Sequence, residues 1–273
     1  MFEDIAIVRG GGDIASGAIQ KLYRSGFKVL VLETKKPTSI RRNVCFSEAI
    51  FEQYVTIEEI KAVHVNSIDE VEKNWEEGSV PVIIDKEGKY IDIIKPEIVL
   101  DAILAKKNLG TNKNMAPITI ALGPGFEAGK DVDVVIETMR GHNLGRLIFS
   151  GSAMENTGLP GKINGYSKER VIYSPAEGII SNVKEIGDLV KAGETIAVVS
   201  NIEIKTLIDG ILRGIIKEGT NVFRGLKIAD VDPRLTEKEN CYTISDKARC
   251  IGGAVLEAIL YLKNIRTDIH RKK

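Results

Sequence analysis

The N-terminal stretch constrains the fold most, because it orders a strand, a glycine-rich turn, a helix and a second strand. Residues 5–8 are apolar and mostly β-branched, as is typical of a buried parallel strand. The turn "RGGGD", the helical pattern "IASGAIQKLYRSGF" and the apolar run "KVLVLE" then follow. This order predicts a βαβ unit, whose turn lies at the sheet edge where α/β proteins bind ligands.

The turn matches the dinucleotide-binding pattern Gly-x-Gly-x-x-Ala at Gly10, Gly12 and Ala15. Small residues there make the tight turn, admit a pyrophosphate and pack the helix on the strand. Glu33 ends the second strand, where an acid binds a ribose hydroxyl. The pattern predicts a pyrophosphate site, for NAD or any other pyrophosphate compound. The alternative is a glycine-rich corner of an α/β domain without a ligand.

Charged residues around this turn add candidates for ligand binding. Arg9 is predicted to pair with a phosphate or carboxylate, and Asp13 to cap the following helix. Arg41 and Arg42 follow in a loop after the second strand. They either clamp an anionic ligand or are solvated, and the sequence leaves both alternatives open.

A second glycine-rich turn follows the buried strand "ITIAL" in the middle of the chain. Gly123 and Gly125 flank a proline there and are predicted to line the ligand-binding edge of the sheet. The alternation of strand and helix between the two turns includes "SIDEVEKNWEEG", a helix for which Ser67 is the predicted cap.

The segment after the strand "DVVIET" holds the candidate catalytic residues. Glu137 and His142 are candidates for acid–base chemistry, and Arg140 and Arg146 for holding an anion. The alternative is that they are polar loop residues. Their spacing matches no catalytic triad, and no metal site is predicted.

An internal repeat follows, in which "EGIISNVKEIGDLVKAGETIAVV" aligns with "DGILRGIIKEGTNVFRGLKIADV". Two such halves of short strands predict a barrel-sandwich hybrid that resembles biotinyl and lipoyl carrier domains. The junction between the halves is too short for the carrier hairpin, and Lys205 lies within a strand pattern rather than at a tip. Covalent biotin or lipoate is therefore not expected.

The C-terminal stretch "SDKARCIGGAVLEAILYLKN" predicts a helix with Ser245 and Asp246 as caps. Gly252 and Gly253 cost a helix about 1 kcal/mol each, which predicts close packing there or an anion at the helix start. Three cysteines lie in no Cys-x-x-Cys pair and are predicted to be inert, with sulfur or selenium transfer as the alternative: Cys45, Cys241 and Cys250.

Charge and hydropathy exclude two classes of partner. Lys+Arg and Asp+Glu both number 38, so nucleic acid is not an expected partner. No apolar run reaches the roughly 20 residues of a membrane span, and the N-terminus does not resemble a signal peptide. A cytoplasmic protein without a membrane partner is predicted.

The predicted architecture is an α/β chain of three parts. Residues 1–168 are expected to form a Rossmann-like parallel sheet with the glycine-rich central segment. Residues 169–234 are expected to form the barrel-sandwich hybrid, and residues 235–273 the C-terminal helical segment.

The motifs "VRGGGDIASG", "RRNVCFSEA", "GPGFEAGKDVDVVIET", "RGHNLGR", "NTGLPG" and "SDKARCIGGAVLEA" together resemble the YqeB-type accessory proteins of the selenium-dependent molybdenum hydroxylase system. The likeness covers essentially the whole chain. It implies a role in maturing a molybdenum hydroxylase, with the hydroxylase apoenzyme as partner. It implies no reaction, so whether the chain is an enzyme stays open.

Three functions are compatible with these features. The first is a maturation factor that binds a pyrophosphate-containing cofactor, such as molybdopterin cytosine dinucleotide, with Arg140, His142 and Arg146 facing its reactive end. The second is an NAD-dependent oxidoreductase. The third is a non-catalytic scaffold that docks the hydroxylase or a selenium donor. The oligomeric state, a homo-oligomer included, stays open.

Overall fold

The computed structural model describes the backbone of residues 4–271 and the side chains of residues 4–265. The chain forms two compact units. The first, here the sheet unit, comprises Met1–Pro37, Phe46–Asn156 and Ile244–Lys273. The second, here the β unit, comprises Thr38–Cys45 and Thr157–Thr243. These units differ from the three predicted segments, because the C-terminal helix belongs to the sheet unit and residues 38–45 to the β unit.

The sheet unit contains nine strands and five α-helices among the residues described. The strands are β1 Ile5–Arg9, β2 Lys28–Glu33, β3 Tyr54–Ile57, β4 Ile60–Val65, β5 Val80–Ile84, β6 Ile98–Asp101, β7 Ile118–Leu122, β8 Val134–Ile136 and β9 Leu147–Ile148. The helices are α1 Asp13–Arg24, α2 Ala49–Glu52, α3 Ile68–Glu76, α4 Lys89–Ile94 and α5 Asp246–Arg271.

The predicted Rossmann-like parallel sheet is wrong. All nine strands form one mixed sheet in the order β3-β4-β5-β2-β1-β6-β7-β8-β9. The strands from β4 to β8 are parallel, but β3 and β9 pair antiparallel at the two edges. A parallel sheet of that predicted type needs a covering helix in each crossover. In the described structure, residues 102–117 and 123–133 connect parallel strands without one.

The C-terminal helix takes the place of those missing crossover helices. Helix α5 packs against β7 and β8 as well as against α1. Its buried residues Ala248, Ile251 and Val255 join the same apolar core as the strand residues on that side of the sheet. The face that local crossovers would have covered is therefore covered by the far end of the sequence.

The central strands are buried on both faces. In β1, Ala6 and Val8 face the core that contains α1 and α5, while Ile7 faces a second core containing residues of α3 and α4. This alternation follows from the two-residue period of a strand. It explains why β1 and β2 read as continuous apolar runs in the sequence.

Helices α1 and α5 approach each other closely at Gly17 and Gly252. A Cβ atom built on Gly17 would lie 2.0 Å from the carbonyl oxygen of Ala248, and one on Gly252 would lie 2.3 Å from that of Gly17. Only glycine fits such a contact. The close packing predicted for Gly252 is therefore confirmed, whereas Gly253 has no atom within 4 Å of a built Cβ.

The β unit contains eight strands among the residues described. They are β10 Val171–Tyr173, β11 Gly178–Asn182, β12 Leu189–Val190, β13 Thr195–Val199, β14 Ile202–Lys205, β15 Gly210–Ile215, β16 Asn221–Val222 and β17 Lys227–Asp232. The internal repeat is visible in this order, since β11, β12 and β13 correspond to β15, β16 and β17. Lys205 is the last residue of β14.

The predicted biotinyl/lipoyl-like barrel-sandwich hybrid is also wrong. The strands form two four-stranded antiparallel sheets, in the orders β10-β17-β15-β12 and β14-β13-β11-β16. Strand β10 and residues 38–45 lie outside the repeat but belong to the same unit. Ile40 packs on its core, and Gly214 fits against the Ile40 carbonyl group. The repeat indicated the duplicated strands and contained no information about these additions.

In the part of the chain that the structure describes, no helix combines the length and the apolar character needed to cross a membrane.

Candidate functional site

The glycine-rich turn between β1 and α1, here the glycine corner (residues 9–13), is closed by the chain's own groups. Gly10 has a φ of +94°, and its amide donates to the Leu32 carbonyl oxygen at 2.8 Å. The Gly11 carbonyl oxygen accepts from the Ser47 amide at 2.9 Å. A Cβ on Gly11 would lie only 2.8 Å from the Ser47 nitrogen, so a neighbouring segment lies directly against the turn.

Glu33 binds the corner itself. Its Oε2 accepts from the Gly11 amide at 2.9 Å, and its Oε1 accepts from the Thr34 amide at 2.7 Å. In the predicted site this acid would bind a ribose, and the turn amides would bind a pyrophosphate. Here the acid takes one of those amides. Binding of a pyrophosphate by Gly10, Gly12 and Ala15 stays a prediction.

Arg9, for which a phosphate or a carboxylate was the predicted partner, has its partners within the protein. Its side chain is 3% exposed and donates to the Thr111 hydroxyl and, at 3.3 Å, to the Lys86 carbonyl oxygen. Its guanidinium also lies 3.8 Å from the carboxylate of Asp101. Thr111 in turn donates to Asp101 at 2.6 Å. This buried network joins the ends of β1 and β6 to the loop after β6.

Burial raises the pKa of the Asp101 carboxyl. Hydrogen bonds from Thr111 and the Ile103 amide lower this pKa, and so does the positive charge of Arg9. The effect of burial is larger than theirs. Desolvation disfavours the charged form of a buried carboxyl group. The network is thus closed to solvent.

The predicted cap of α1 lies one residue away from the position expected. Gly12, which has no side chain to form a capping hydrogen bond, is the capping residue. Asp13 is the first residue of the helix. An acid in the first turn is stabilised by the helix dipole. Ala15, the third position of the glycine pattern, is fully buried against the sheet. Ser67 of α3 caps as predicted, accepting from the Glu70 amide at 3.3 Å.

Arg41 and Arg42 belong to the β unit, whereas the glycine corner belongs to the sheet unit. Arg41 is buried and donates to the Asn240 carbonyl oxygen at 2.9 Å. Arg42 donates to the Ile215 carbonyl oxygen at 2.9 Å. Both guanidinium groups therefore hold backbone of their own unit together, whereas the sequence left an anionic ligand and solvation as the two alternatives.

The second glycine-rich turn packs against neighbouring segments. A Cβ on Gly125 would lie 2.6 Å from the backbone of Lys107, and one on Gly123 would lie 2.5 Å from the Thr138 hydroxyl. These glycines allow the loops after β6 and β7 to meet. At these two positions the glycine reflects contact between segments of the chain.

Glu137 lies directly after β8 and is 3% exposed. Its Oε1 accepts from the Met139 amide at 2.7 Å, and its Oε2 accepts from the Met154 amide at 2.8 Å. Its own backbone pairs with Arg146 and Gly145. The carboxylate is thus fixed in one plane by donors from two segments. Among the described side chains, no cation lies within 4.0 Å of it.

Glu137 lines a cavity of about 370 Å³, here the Glu137 cavity. This volume lies within the range of small-molecule sites. The lining combines polar groups with apolar surface and consists of Glu137, Asn143, Arg146, Leu147, Ile148, Phe149, Ser150, Ser152 and Met154. Two of the four candidate catalytic residues, Glu137 and Arg146, meet in it.

Arg146 contributes an available positive charge to this cavity. Its side chain is exposed, and the described structure gives its guanidinium no ion pair or hydrogen bond. Its backbone carbonyl oxygen accepts from the Glu137 amide at 3.0 Å, which fixes its place at the cavity wall. An unpaired guanidinium beside polar groups suits a phosphate or a carboxylate.

The other two candidates lie outside the lining. Arg140 forms a two-point ion pair with Asp246, at 2.8 and 3.0 Å, so its charge is already matched. His142 lies exposed in the turn between β8 and β9. Sequence reasoning missed Asn143, Ser150 and Ser152, because lone polar loop residues carry no periodic signal.

The thiols separate into two classes. Cys45 and Cys241 are buried, whereas Cys250 is exposed. Burial raises the pKa of the Cys241 thiol, which lowers its reactivity near neutral pH. Among the described residues, no group of three or more His, Cys, Asp or Glu side chains is arranged to hold a metal ion.

Comparison with known proteins gives a relative of high sequence identity. No protein-family model matches the chain. The chain is 50% identical over 258 residues to a protein of Escherichia coli strain K12 described as uncharacterized protein YqeB. The chain is a homologue of YqeB. The match covers 94% of the chain and 48% of YqeB, so the chain spans about half the length of this relative. The resemblance to YqeB-type proteins is confirmed to that extent.

Likenesses to solved structures are remote. The ectoine utilization protein EutE (DoeB) of Ruegeria pomeroyi is 10% identical, with a TM-score of 0.25 over 84% of the chain and 86% of that protein. An aspartoacylase family protein of Mesorhizobium loti is 12% identical, with a TM-score of 0.27 over 84% of each chain. At these scores neither fold nor activity is transferred from them.

Proposed function

We propose that this chain is an accessory factor in the maturation of a selenium-dependent molybdenum hydroxylase, and that it holds an anionic, phosphate-bearing cofactor in the Glu137 cavity. The partner in this proposal is the hydroxylase apoenzyme, in the cytoplasm. The pathway rests on the resemblance of the motifs to YqeB-type proteins. The site rests on the observation that Arg146 and a buried carboxylate line one cavity.

The cavity supports this proposal better than the glycine corner does. At the corner, Glu33, Ser47 and Leu32 bind the polar groups of the turn. At the cavity, the Arg146 guanidinium has no ion pair or hydrogen bond among the described residues, and Ser150 and Ser152 line the same cavity. A phosphate binds such a combination of guanidinium and hydroxyl donors. Molybdopterin cytosine dinucleotide is one cofactor of the required class.

The test is native purification of the chain from cells that make the hydroxylase, followed by mass spectrometry of bound small molecules. The expected result is a phosphate-bearing cofactor with the wild type. Arg146→Gln should reduce the retained amount at least about tenfold, the loss of one charge-assisted contact. Arg24→Gln, which removes an exposed arginine of α1, is the matched control and should retain the cofactor. A wild-type chain that retains no phosphate-bearing molecule contradicts the proposal.

A scaffold role is the second candidate, and a separate observation favours it. In the β unit, Ile179, Leu207 and Phe223 expose 67%, 66% and 59% of their surface. A contiguous patch of such exposed apolar side chains is typical of surfaces that contact another protein, whereas single ones are common on any protein. Copurification of the hydroxylase without any small ligand would support this role. The NAD-dependent oxidoreductase stays a prediction that depends on the glycine corner alone.

A further inference from the structure

The Glu137 carboxylate has acceptor capacity that the protein does not use. An ionised carboxylate offers about four lone-pair sites on two oxygens. The Met139 and Met154 amides occupy one site on each oxygen. One acceptor site on each oxygen remains, on a group that lines the cavity.

A buried carboxylate without a cationic partner is costly unless donors satisfy it. Glu137 is 3% exposed, so the protein surrounds nearly all of its surface outside the cavity. Two donors held side by side on a ligand would satisfy both oxygens at once, as a guanidinium does in a two-point pair. The fixed plane of the carboxylate favours a planar ligand edge.

The other walls of the cavity restrict the ligand further. Phe149 and Met154 supply apolar surface, and the Phe149 ring is itself held by the Tyr261 ring at 5.1 Å between centroids. An aromatic ring and a thioether are good contacts for a flat heterocycle. Arg146 then suits an anionic substituent on that heterocycle.

We infer that Glu137 recognises the edge of a 2-amino-4-oxopyrimidine ring, as found in pterins and in guanine, through its amino group and the adjacent ring N–H. Arg146 binds the anionic substituent of the same molecule. This inference rests on the proposed function, since it names the chemical class of the cofactor that the Glu137 cavity holds.

The experiment compares two ligands that differ only at that edge. Pterin-6-carboxylate presents the amino group and the ring N–H, whereas lumazine-6-carboxylate carries an oxygen in place of the amino group. Both keep the carboxylate for Arg146. Affinities are measured by calorimetry with the full chain. The wild type should bind the pterin about tenfold to a hundredfold more tightly, as one two-point pair predicts.

Two variants separate the roles of the two residues. Glu137→Gln should bring the ratio of the two affinities close to one, because the amide offers a single acceptor oxygen. Arg146→Gln should weaken both ligands by the same factor and preserve the ratio. If Glu137→Gln fails to fold, the ratio of pterin to lumazine affinity in the wild type and in Arg146→Gln still tests whether the amino edge of the ring is recognised.

A further ligand pair separates the two sources of this ring. Guanosine monophosphate and inosine monophosphate differ by the same amino group. Preference for guanosine over inosine monophosphate, with no pterin binding, would support the inference with a purine nucleotide as the source. Equal affinity within both pairs would overturn the inference. If the affinities are equal within both pairs but a phosphate-bearing cofactor is retained during native purification, the proposed function stands, and Arg146 is the residue that binds the phosphate.

Discussion

The glycine corner and the Glu137 cavity use the same chemistry with opposite results. In each, a glutamate carboxylate at the carboxyl end of a parallel strand accepts hydrogen bonds from backbone amides. At the corner, those bonds hold a loop that is packed against Ser47 and the buried Arg9 network. At the cavity, the carboxylate lies against about 370 Å³ of space. The glycine pattern of the corner therefore coincides with tightly packed backbone, while the space beside Glu137 and Arg146 makes the cavity the candidate ligand site.

The largest expected effect tests whether the corner is structural. Arg9→Gln should lower the free energy of unfolding by about 3 kcal/mol, because it leaves Asp101 buried without its cation. Arg24→Gln removes an arginine from an exposed ion pair with Glu59 and should cost less than about 1 kcal/mol. Urea denaturation measures both. Equal losses of unfolding free energy in the two variants would show that solvent reaches the Arg9 network. The contrast between the corner and the cavity would then be weaker.

The next effect tests the fit of the corner against its neighbour. Gly11→Ala should destabilise the chain by about 1–3 kcal/mol, because the added methyl group would lie 2.8 Å from the Ser47 nitrogen. Gly253→Ala is the matched control, since nothing lies within 4 Å of its built Cβ. Replacing glycine inside a helix should stabilise the chain by up to about 1 kcal/mol. Thermal unfolding of both variants distinguishes them, and a wild-type melting temperature for Gly11→Ala would show that the corner opens easily.

The smallest effect is a dependence of stability on pH. Burial raises the pKa of Asp101 above its ordinary value of 3.8. The folded state then holds this proton more tightly than the unfolded state does. The resulting stability is fully present below pH 3.8 and is lost as the pH rises through the folded pKa.

Asp101→Asn removes this titration. The difference in unfolding free energy between wild type and variant should therefore change as the pH rises through that window, with the wild type losing stability relative to the variant. Unfolding by urea at a series of pH values measures it. Parallel curves for the two proteins would indicate that Asp101 is more accessible to water than its 2% exposure implies.

The sequence predicts local elements better than their assembly. The glycine corner and the Ser67 cap depend on residues near one another, and both are present. The close packing at Gly252 involves the distant Gly17, but the sequence indicated it because a glycine inside a helix is costly. The sheet type depends on which distant segments pair. The antiparallel edges formed by β3 and β9, and the placement of α5 over β7 and β8, leave no periodic signal in the sequence.

The sequence predicted only part of the candidate site, because some of its residues are brought together by the path of the loops. Glu137 and Arg146 were predicted as candidate site residues because they follow a buried strand at the ligand-binding edge of a sheet. Their proximity to Ser150 and Ser152 depends on the path of a loop that has no repeating pattern. The pairing of Arg140 with Asp246 joins residues far apart in the sequence, so the matched charge of Arg140 was not visible either.

The close contact between Gly17 and Gly252 sets an order of events during synthesis. The ribosome releases α1 early in synthesis. Helix α5, which packs against α1, emerges only after the whole β unit. Until then, the apolar side chains of β7 and β8 that face α5 in the folded protein lack this helix as cover. Nascent chains with such exposed surface are prone to aggregation. The sheet unit therefore completes its core only when the last segment of this chain has been made.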